Sequence, residues 1–548
     1  MAPSLTRLVS ALLVVGVAGC TRAPAPAPAP TVVQTSSGVV AGTVLESGVK
    51  AWLGVPYAQA PVRELRWKEA QPITWTGTYN ADRKMSACIQ ILRPHNINHY
   101  FGEEPTSEDC LYMNIWAPPD ATRESRLPVV VFIYGGGGTV GSSGMANYDG
   151  AQVARRGAIY VNFNYRLGIL GFMAHPELTK EQGGHSGNYG YLDQSAALKW
   201  IQQNIAAFGG DPAKVIISGQ SAGAGSVAQQ IFSPRSQGLF RGAVMFSACN
   251  FTSSNTPLAE GEATGLEIQK ALEAASLDDM RQVPADRILS IQNEFQLGRS
   301  VPGIRTSGVI DGYFMPDTKA AILAAGGAAD VPVIASFTHD EANSPLKSAT
   351  TVAEFKAKAA EMFGPAAPEF LALYPVASDA EVRAVAQDAA NDAAGLFNSR
   401  ACATLKAQYH KSPTYMTVFS RKHPYVPGVK IADQDTATIG AYHTSEVPYY
   451  FGTQDAYNLF RPTRNWTPWD RELSETLTAS LIAFAATGNP ATPKAAWMAW
   501  SAQDERYIEF GDAIRPVSVN RARLDFMAKH RPAPAPPGAG GPRRIPRD

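Results

Sequence analysis

The chain has 548 residues, of which 45% are hydrophobic and 18% charged, with Lys plus Arg and Asp plus Glu balanced at 48 each. That length holds one large enzyme domain with insertions, or two or more average domains. The balance leaves no bulk field for nucleic acid or anionic lipid, which argues against polyanion binding and leaves open only a local basic patch.

In chain order, Arg7 precedes an apolar run, Leu8 to Ala18, too short for a permanent bilayer-spanning helix. The run ends in Val17-Ala18-Gly19-Cys20, which resembles the lipobox of bacterial lipoproteins. Residues 1–20 are read as a lipoprotein-type signal segment, with Cys20 as the lipid-carrying first residue of the mature protein. Thr21, rather than Asp, after that cysteine favours the outer membrane, facing the periplasm or the cell surface. The competing reading is an ordinary secretory signal with a chance cysteine, which gives a secreted soluble protein. Residues 21–30 form an Ala/Pro-rich tether and residues 531–548 a Pro/Gly/Arg tail expected to be disordered. The folded part is then one domain, residues 31–530.

Within it, apolar β-rich runs alternate with amphipathic helices, which predicts an α/β fold with a large, mostly parallel sheet covered on both faces. Strands are expected at Val129–Tyr134, Ala158–Asn164, Val215–Ser218, Gly242–Ser247, Val331–Phe337 and Thr414–Ser420. Helices are expected at Tyr191–Ala206 and Leu473–Ala486, the latter stopped by Gly488-Asn489-Pro490. Four cysteines remain, Cys88, Cys110, Cys249 and Cys402; an exported chain meets an oxidising compartment, and their spacing leaves three connectivities open.

Gly219-Gln220-Ser221-Ala222-Gly223 follows a β-run and precedes a helix-like segment, Ser226–Ile231. G-x-S-x-G in that setting is a nucleophile elbow, whose small neighbours let backbone and substrate come close. A serine attacking an ester creates an oxyanion, which needs preorganised N–H donors. Tyr134 to Gly138, YGGGG after an earlier strand, suits that task, and no Gly-Lys-Ser/Thr follows it to suggest phosphate binding. A base and an acid should follow the serine in the order Ser, acid, His. Of the nine histidines, His410, His423 and His530 lie in polar stretches without active-site context, and spacing leaves both His339 and His443 open. No metal-ligand spacing stands out and the chemistry calls for no cofactor.

Ordered segments then carry a family resemblance: LGVPYA (Leu53–Ala58), SEDCLYMNIW (Ser107–Trp116), YGGGG, NYRLGILGF (Asn164–Phe172), GNYGYLDQ (Gly187–Gln194), FGGDPAKV (Phe208–Val215), GQSAGAGS, FTHDEAN, GAYHTSEVPYYFG and FAATGNP. Over some 450 residues the chain resembles the type-B carboxylesterase, or cholinesterase-like, family with its α/β-hydrolase fold. The resemblance implies Ser221 as nucleophile, His443 as base and Glu341 as acid, with Asp340 the more structural runner-up. It implies Gly136, Gly137 and Ala222 as oxyanion donors and Ser247 and Gln220 as support for the triad. It assigns Cys88–Cys110 as a disulfide beside the active-site gorge, a link worth roughly 3 kcal/mol. No family pairing carries over to Cys249 and Cys402, which form a second bridge or stay as two buried thiols, the bridge being slightly preferred. Arg66–Glu108 and Arg166–Asp193 resemble the family's structural ion pairs.

Departures narrow the reading. The Cys88–Cys110 loop holds His95, His99, Tyr100 and Phe101 but no Trp to grip a quaternary ammonium, and Gln220 stands where cholinesterases have Glu. Gly138 stands where many relatives have a bulky aromatic, so a roomier site is expected; rates falling sharply beyond acetyl esters would count against that. The expected function is a serine carboxylesterase acting on a small-molecule ester. Its rivals are a lipase, a specialised detoxifying or polyester-cleaving esterase, and a non-catalytic cholinesterase-like binding protein. The oligomeric state is not legible.

Overall fold

The computed structural model of the protein describes residues 31–91, 105–249, 251–431 and 434–530, apart from 293, 297, 298 and 302. The signal segment with Cys20, the tether, the tail, and His95, His99, Tyr100 and Phe101 lie outside the described residues.

One sheet of 13 strands organises the molecule. In chain order these are β1 (Thr31–Gln34), β2 (Val39–Val44), β3 (Lys50–Pro56), β4 (Thr78–Asn80), β5 (Tyr112–Ala117), β6 (Leu127–Ile133) and β7 (Ile159–Phe163). Then come β8 (Gly210–Gln220), β9 (Gly242–Phe246), β10 (Val333–Thr338), β11 (Thr414–Phe419), β12 (Arg506–Phe510) and β13 (Ile514–Ser518). Their spatial order is β1-β2-β3-β5-β7-β6-β8-β9-β10-β11-β12-β13, with β4 paired to β2. Neighbours from β7 to β12 run parallel, while β1-β2-β3-β5-β7 and β12-β13 are antiparallel.

The composition of the central strands explains their place. Val129 to Ile133, Val215 to Ile217 and Ala243 to Met245 are fully buried, because helices cover both faces of a parallel sheet and leave no polar side. Chief among those helices are α1 (Tyr189–Asn204), α2 (Ala222–Phe232) and α6 (Pro468–Thr487). A second apolar cluster, with Phe355, Phe370 and Tyr374 at its centre, packs outside the sheet around α3 (Asp379–Asn391) and its neighbours. Helix α4 (Phe397–Tyr409) and the short α5 (Val447–Phe451) complete the elements used below.

The expected strands and helices all form, with shifted ends. β8 is 11 residues rather than four, because Gly210 already pairs with Leu127 ahead of an irregularity that the local pattern hides. α6 starts at Pro468, five residues early, because Thr467 and Asp470 cap it reciprocally. Both disulfides are present, Cys88–Cys110 and Cys249–Cys402, the latter tying the segment after β9 to α4.

Candidate active site

Parallel strands deliver their carboxyl ends to one edge, the usual place for a site in such sheets. Four neighbours contribute. The glycine loop follows β6, Ser221 follows β8, Ser247 follows β9, and Glu341 lies three residues beyond β10.

Ser221 has φ 57° and ψ −122°, a conformation that costs a non-glycine residue about 1–3 kcal/mol. The surroundings impose it: Ser221 N donates to Phe246 O at 2.9 Å, and Ser221 O takes Gly225 N–H at 3.0 Å as α2 begins. A side chain on Gly223 would put its Cβ 2.1 Å from Ile133 O, and one on Gly135 would sit 2.3 Å from Gln220 O and 3.0 Å from Ser221 Cβ. The glycine loop is thus pressed directly against the serine. Beneath it, Tyr134 and Tyr165 stack with centroids 4.6 Å apart, and the Tyr165 hydroxyl donates to Tyr134 O at 2.9 Å. Gly136 and Gly137 have φ 111° and 67°. Among the described residues, no protein acceptor outside α2 takes the backbone N–H of Gly136, Gly137 or Ala222.

His443 Nδ1 is hydrogen-bonded to Glu341 Oε2, and Glu341 Oε1 accepts Thr338 N–H at 3.1 Å. The His443 side chain keeps 44% exposure, so desolvation opposes an imidazolium only in part, and the hydrogen bond and charge of Glu341, with Glu446 nearby, outweigh it and raise the His443 pKa. The other ring nitrogen, Nε2, lies 3.2 Å from Gln220 Nε2, and no hydrogen bond joins it to Ser221 Oγ in this resting arrangement. With the proton on Nδ1, Nε2 offers its lone pair to the Gln220 amide.

The two support residues behave differently. Gln220 touches the His443 ring, whereas Ser247 N donates to Ser336 O at 2.7 Å and, among the described residues, Ser247 Oγ is buried without a hydrogen-bond partner. Asp340 is a tether: its Oδ2 accepts Ala441 N–H at 2.6 Å and its N–H donates to Ala441 O at 3.0 Å. His339 makes no hydrogen bond to Ser221 and is bonded through Nδ1 to Asp340 Oδ1 at 2.7 Å. The ion pairs form as architecture, Arg66 Nε to Glu108 Oε2 at 2.8 Å and Arg166 Nη2 to Asp193 Oδ1 at 2.7 Å.

Sequence reading left Glu446 unremarked and set His423 aside. Glu446 is fully buried three positions after His443, and among the described residues no other residue gives either of its carboxylate oxygens a hydrogen bond. Burial first, then the charge of Glu341, pushes its pKa up to about 8, so it is neutral at pH 7. An acid directly before the apolar run Val447–Phe451 was the signal available. His423 is buried too; its Nε2 donates to Ser445 O at 2.8 Å and its Nδ1 accepts from Tyr442 OH at 3.2 Å. Burial and then the Arg464 charge depress its pKa to about 3, so it acts as a neutral brace, which its polar local sequence does not betray.

Among the described residues, no group of three or more His, Cys, Asp or Glu is arranged to hold a metal. The strand order and the site's position along the sheet edge together define the class, an α/β-hydrolase. Within it the chain belongs to the carboxylesterase family, whose model matches residues 29–527. It is 35% identical over 502 residues to the fumonisin B1 esterase of Sphingopyxis macrogoltabida, covering 89% of this chain and 88% of that one. It is 32% identical over 506 residues to the para-nitrobenzyl esterase of Bacillus subtilis, covering 90% and 98%. A solved PNB esterase superposes with TM-score 0.73 at 28% identity, covering 92% of this chain and 99% of that one. The protein is a carboxylic-ester hydrolase.

Proposed function

We propose that the protein is a serine carboxylesterase that cleaves its ester by two-step acyl transfer through Ser221, His443 and Glu341. The observation carrying this is the Glu341–His443 hydrogen bond at the sheet edge that also bears the strained Ser221. His443 leaves Gln220, takes the Ser221 proton as Oγ attacks the carbonyl carbon, and then gives that proton to the departing alcohol. Water hydrolyses the acyl-enzyme by the same route, regenerating Ser221 and releasing the acid. Glu341 keeps the imidazole in the required tautomer and stabilises its cation. The N–H groups of Gly136, Gly137 and Ala222 stabilise the tetrahedral oxyanion.

The substrate is a small carboxylic ester without a choline group. Among the described residues, a Cβ at Gly138 would meet only Phe172, at 3.9 Å, which supports room for acyl groups larger than acetyl. Residues 1–20 are a lipoprotein-type signal, and Cys20 carries lipid that anchors the enzyme at the outer membrane through the 21–30 tether.

One experiment covers these claims: p-nitrophenyl ester hydrolysis, from acetyl upward, in membrane and soluble fractions of cells producing the full chain. Ser221→Ala and His443→Ala should each lower kcat by at least about 1,000-fold. Near wild-type rates in either would overturn the triad. Cys20→Ser should move the activity to the soluble fraction, and activity that stays membrane-bound would overturn the anchor.

A further inference from the structure

The sequence left two histidines open, and the one that is not the base has a notable setting of its own. His339 directly follows β10, two residues before Glu341. Its Nδ1 lies 2.7 Å from Asp340 Oδ1 and its Nε2 3.2 Å from Asp388 Oδ1, on α3. A neutral imidazole has one N–H, so one ring nitrogen would turn a lone pair toward a carboxylate; only the cation satisfies both contacts. Burial disfavours that cation, but the two carboxylates overcome it and raise the pKa to about 9. The other charges acting on the cluster are Asp392, near His339 and Asp388, and Lys422 and Lys347, near Asp340, whose backbone carbonyl accepts from Lys347 Nζ at 3.0 Å. Asp340 is itself held below the usual carboxylate range: burial works against this, and the His339 bond and charge with the Ala441 N–H prevail.

The clamp grips the active site through Asp340. One Asp340 oxygen faces His339 and the other takes the N–H of Ala441, two residues before His443. The approach is so close that a Cβ on Gly440, which has φ 69°, would stand 1.9 Å from Asp340 Oδ2. Glu341, the partner of His443, is the next residue after Asp340. The turn bearing the acid and the loop bearing the base are therefore joined twice, once by the catalytic hydrogen bond and once by this tie. Gln387 Nε2, also from α3, donates to His339 O at 3.3 Å and anchors the clamp to the outer helices.

We propose that His339 is a positioning residue for ester hydrolysis: as a cation bridging Asp340 and Asp388, it orients Asp340 to hold the His443 loop against the Glu341 turn. This rests on the triad proposed above. His339 touches no reacting atom, so its loss acts on kcat by misplacing the base and leaves KM nearly unchanged. Its folded pKa lies above the ordinary 6.5, so the contribution is complete below pH 6.5 and is lost as pH rises through about 9.

The test measures kcat and KM for p-nitrophenyl butyrate between pH 6 and 10.5, with the full chain and its His339→Gln, His339→Lys, Asp388→Asn and Ser221→Ala variants. Wild-type kcat should fall along an alkaline limb near pH 9. His339→Gln should lower kcat at pH 7.5 by about tenfold, hold KM within about twofold, and lack that limb. His339→Lys, which keeps the cation, should restore kcat to within about threefold and move the limb to higher pH. If His339→Gln does not fold, the contrast between His339→Lys and Asp388→Asn carries the same test, since Asp388→Asn should shift the limb downward. A limb unmoved in every folded variant, beside an inactive Ser221→Ala, overturns this proposal alone. An active Ser221→Ala overturns the triad on which it rests.

Discussion

Ser221 is held almost entirely by backbone from nearby in the fold: a strand end, a helix start, and glycines that let Gly135, Gly219 and Gly223 meet their neighbours without side chains. His443 is held by side chains reaching from far along the chain. Glu341 and Asp340 approach its loop from about a hundred residues away, Gln220 from 223, and His423 braces Ser445 from the buried side. The serine half is therefore rigid because nothing else fits, and the histidine half because several polar contacts agree. The first plan fails by steric overlap, whereas the second responds to protonation and to single lost hydrogen bonds.

The largest effect that would sharpen this contrast concerns Glu446. It ionises near pH 4.5 when unfolded and near 8 in the fold, so between those values the folded chain keeps a proton that the unfolded chain has lost. Stability contributed by this group must then fall as pH rises from 4.5 to 8. Glu446→Gln removes the dependence, and relative to wild type it should gain up to about 4 kcal/mol between pH 4.5 and pH 8. Urea midpoints at the two pH values measure this, and parallel shifts in both proteins would show that the carboxyl is not held neutral. Next in size, Gly223→Ala should cost about 3 kcal/mol at every pH, because its Cβ overlaps Ile133 O and strand backbone cannot step aside. A thermal midpoint within a degree or two of wild type would break the steric account of the serine half. The smallest is His423→Ala, which removes the donor to Ser445 O and should lower kcat about tenfold with KM within about twofold. An unchanged kcat would show that the histidine loop stands without its brace.

The same contrast explains how much was legible beforehand. The elbow could be read because its cause is local: a buried β-run, two glycines around a serine, and a helix follow one another within about 15 residues. The parallel sheet was legible for a related reason, since strands buried on both faces are apolar throughout. Spacing alone could not separate His443 from His339, because both stand in polar loops and what distinguishes them is which carboxylate each one meets. Family resemblance chose His443, and the hydrogen bond to Glu341 is consistent with that choice. Nothing local marked His423 as a buried neutral brace or Glu446 as a buried acid, since their surroundings come from elsewhere: Tyr457 and Trp466 pack on His423, and Tyr148 and Glu341 lie near Glu446.

By itself the sequence determined the fold class, the serine at its turn and the glycine loop that faces it, because each follows from neighbours in the chain. Local spacing left open which histidine meets Glu341, whether Cys249 pairs with Cys402, and whether Asp340 faces His339 on one side and Ala441 on the other; the tertiary structure settles each of these contacts. Those outcomes turn on distances between residues remote in sequence, which only the packing of the whole sheet and its helices sets.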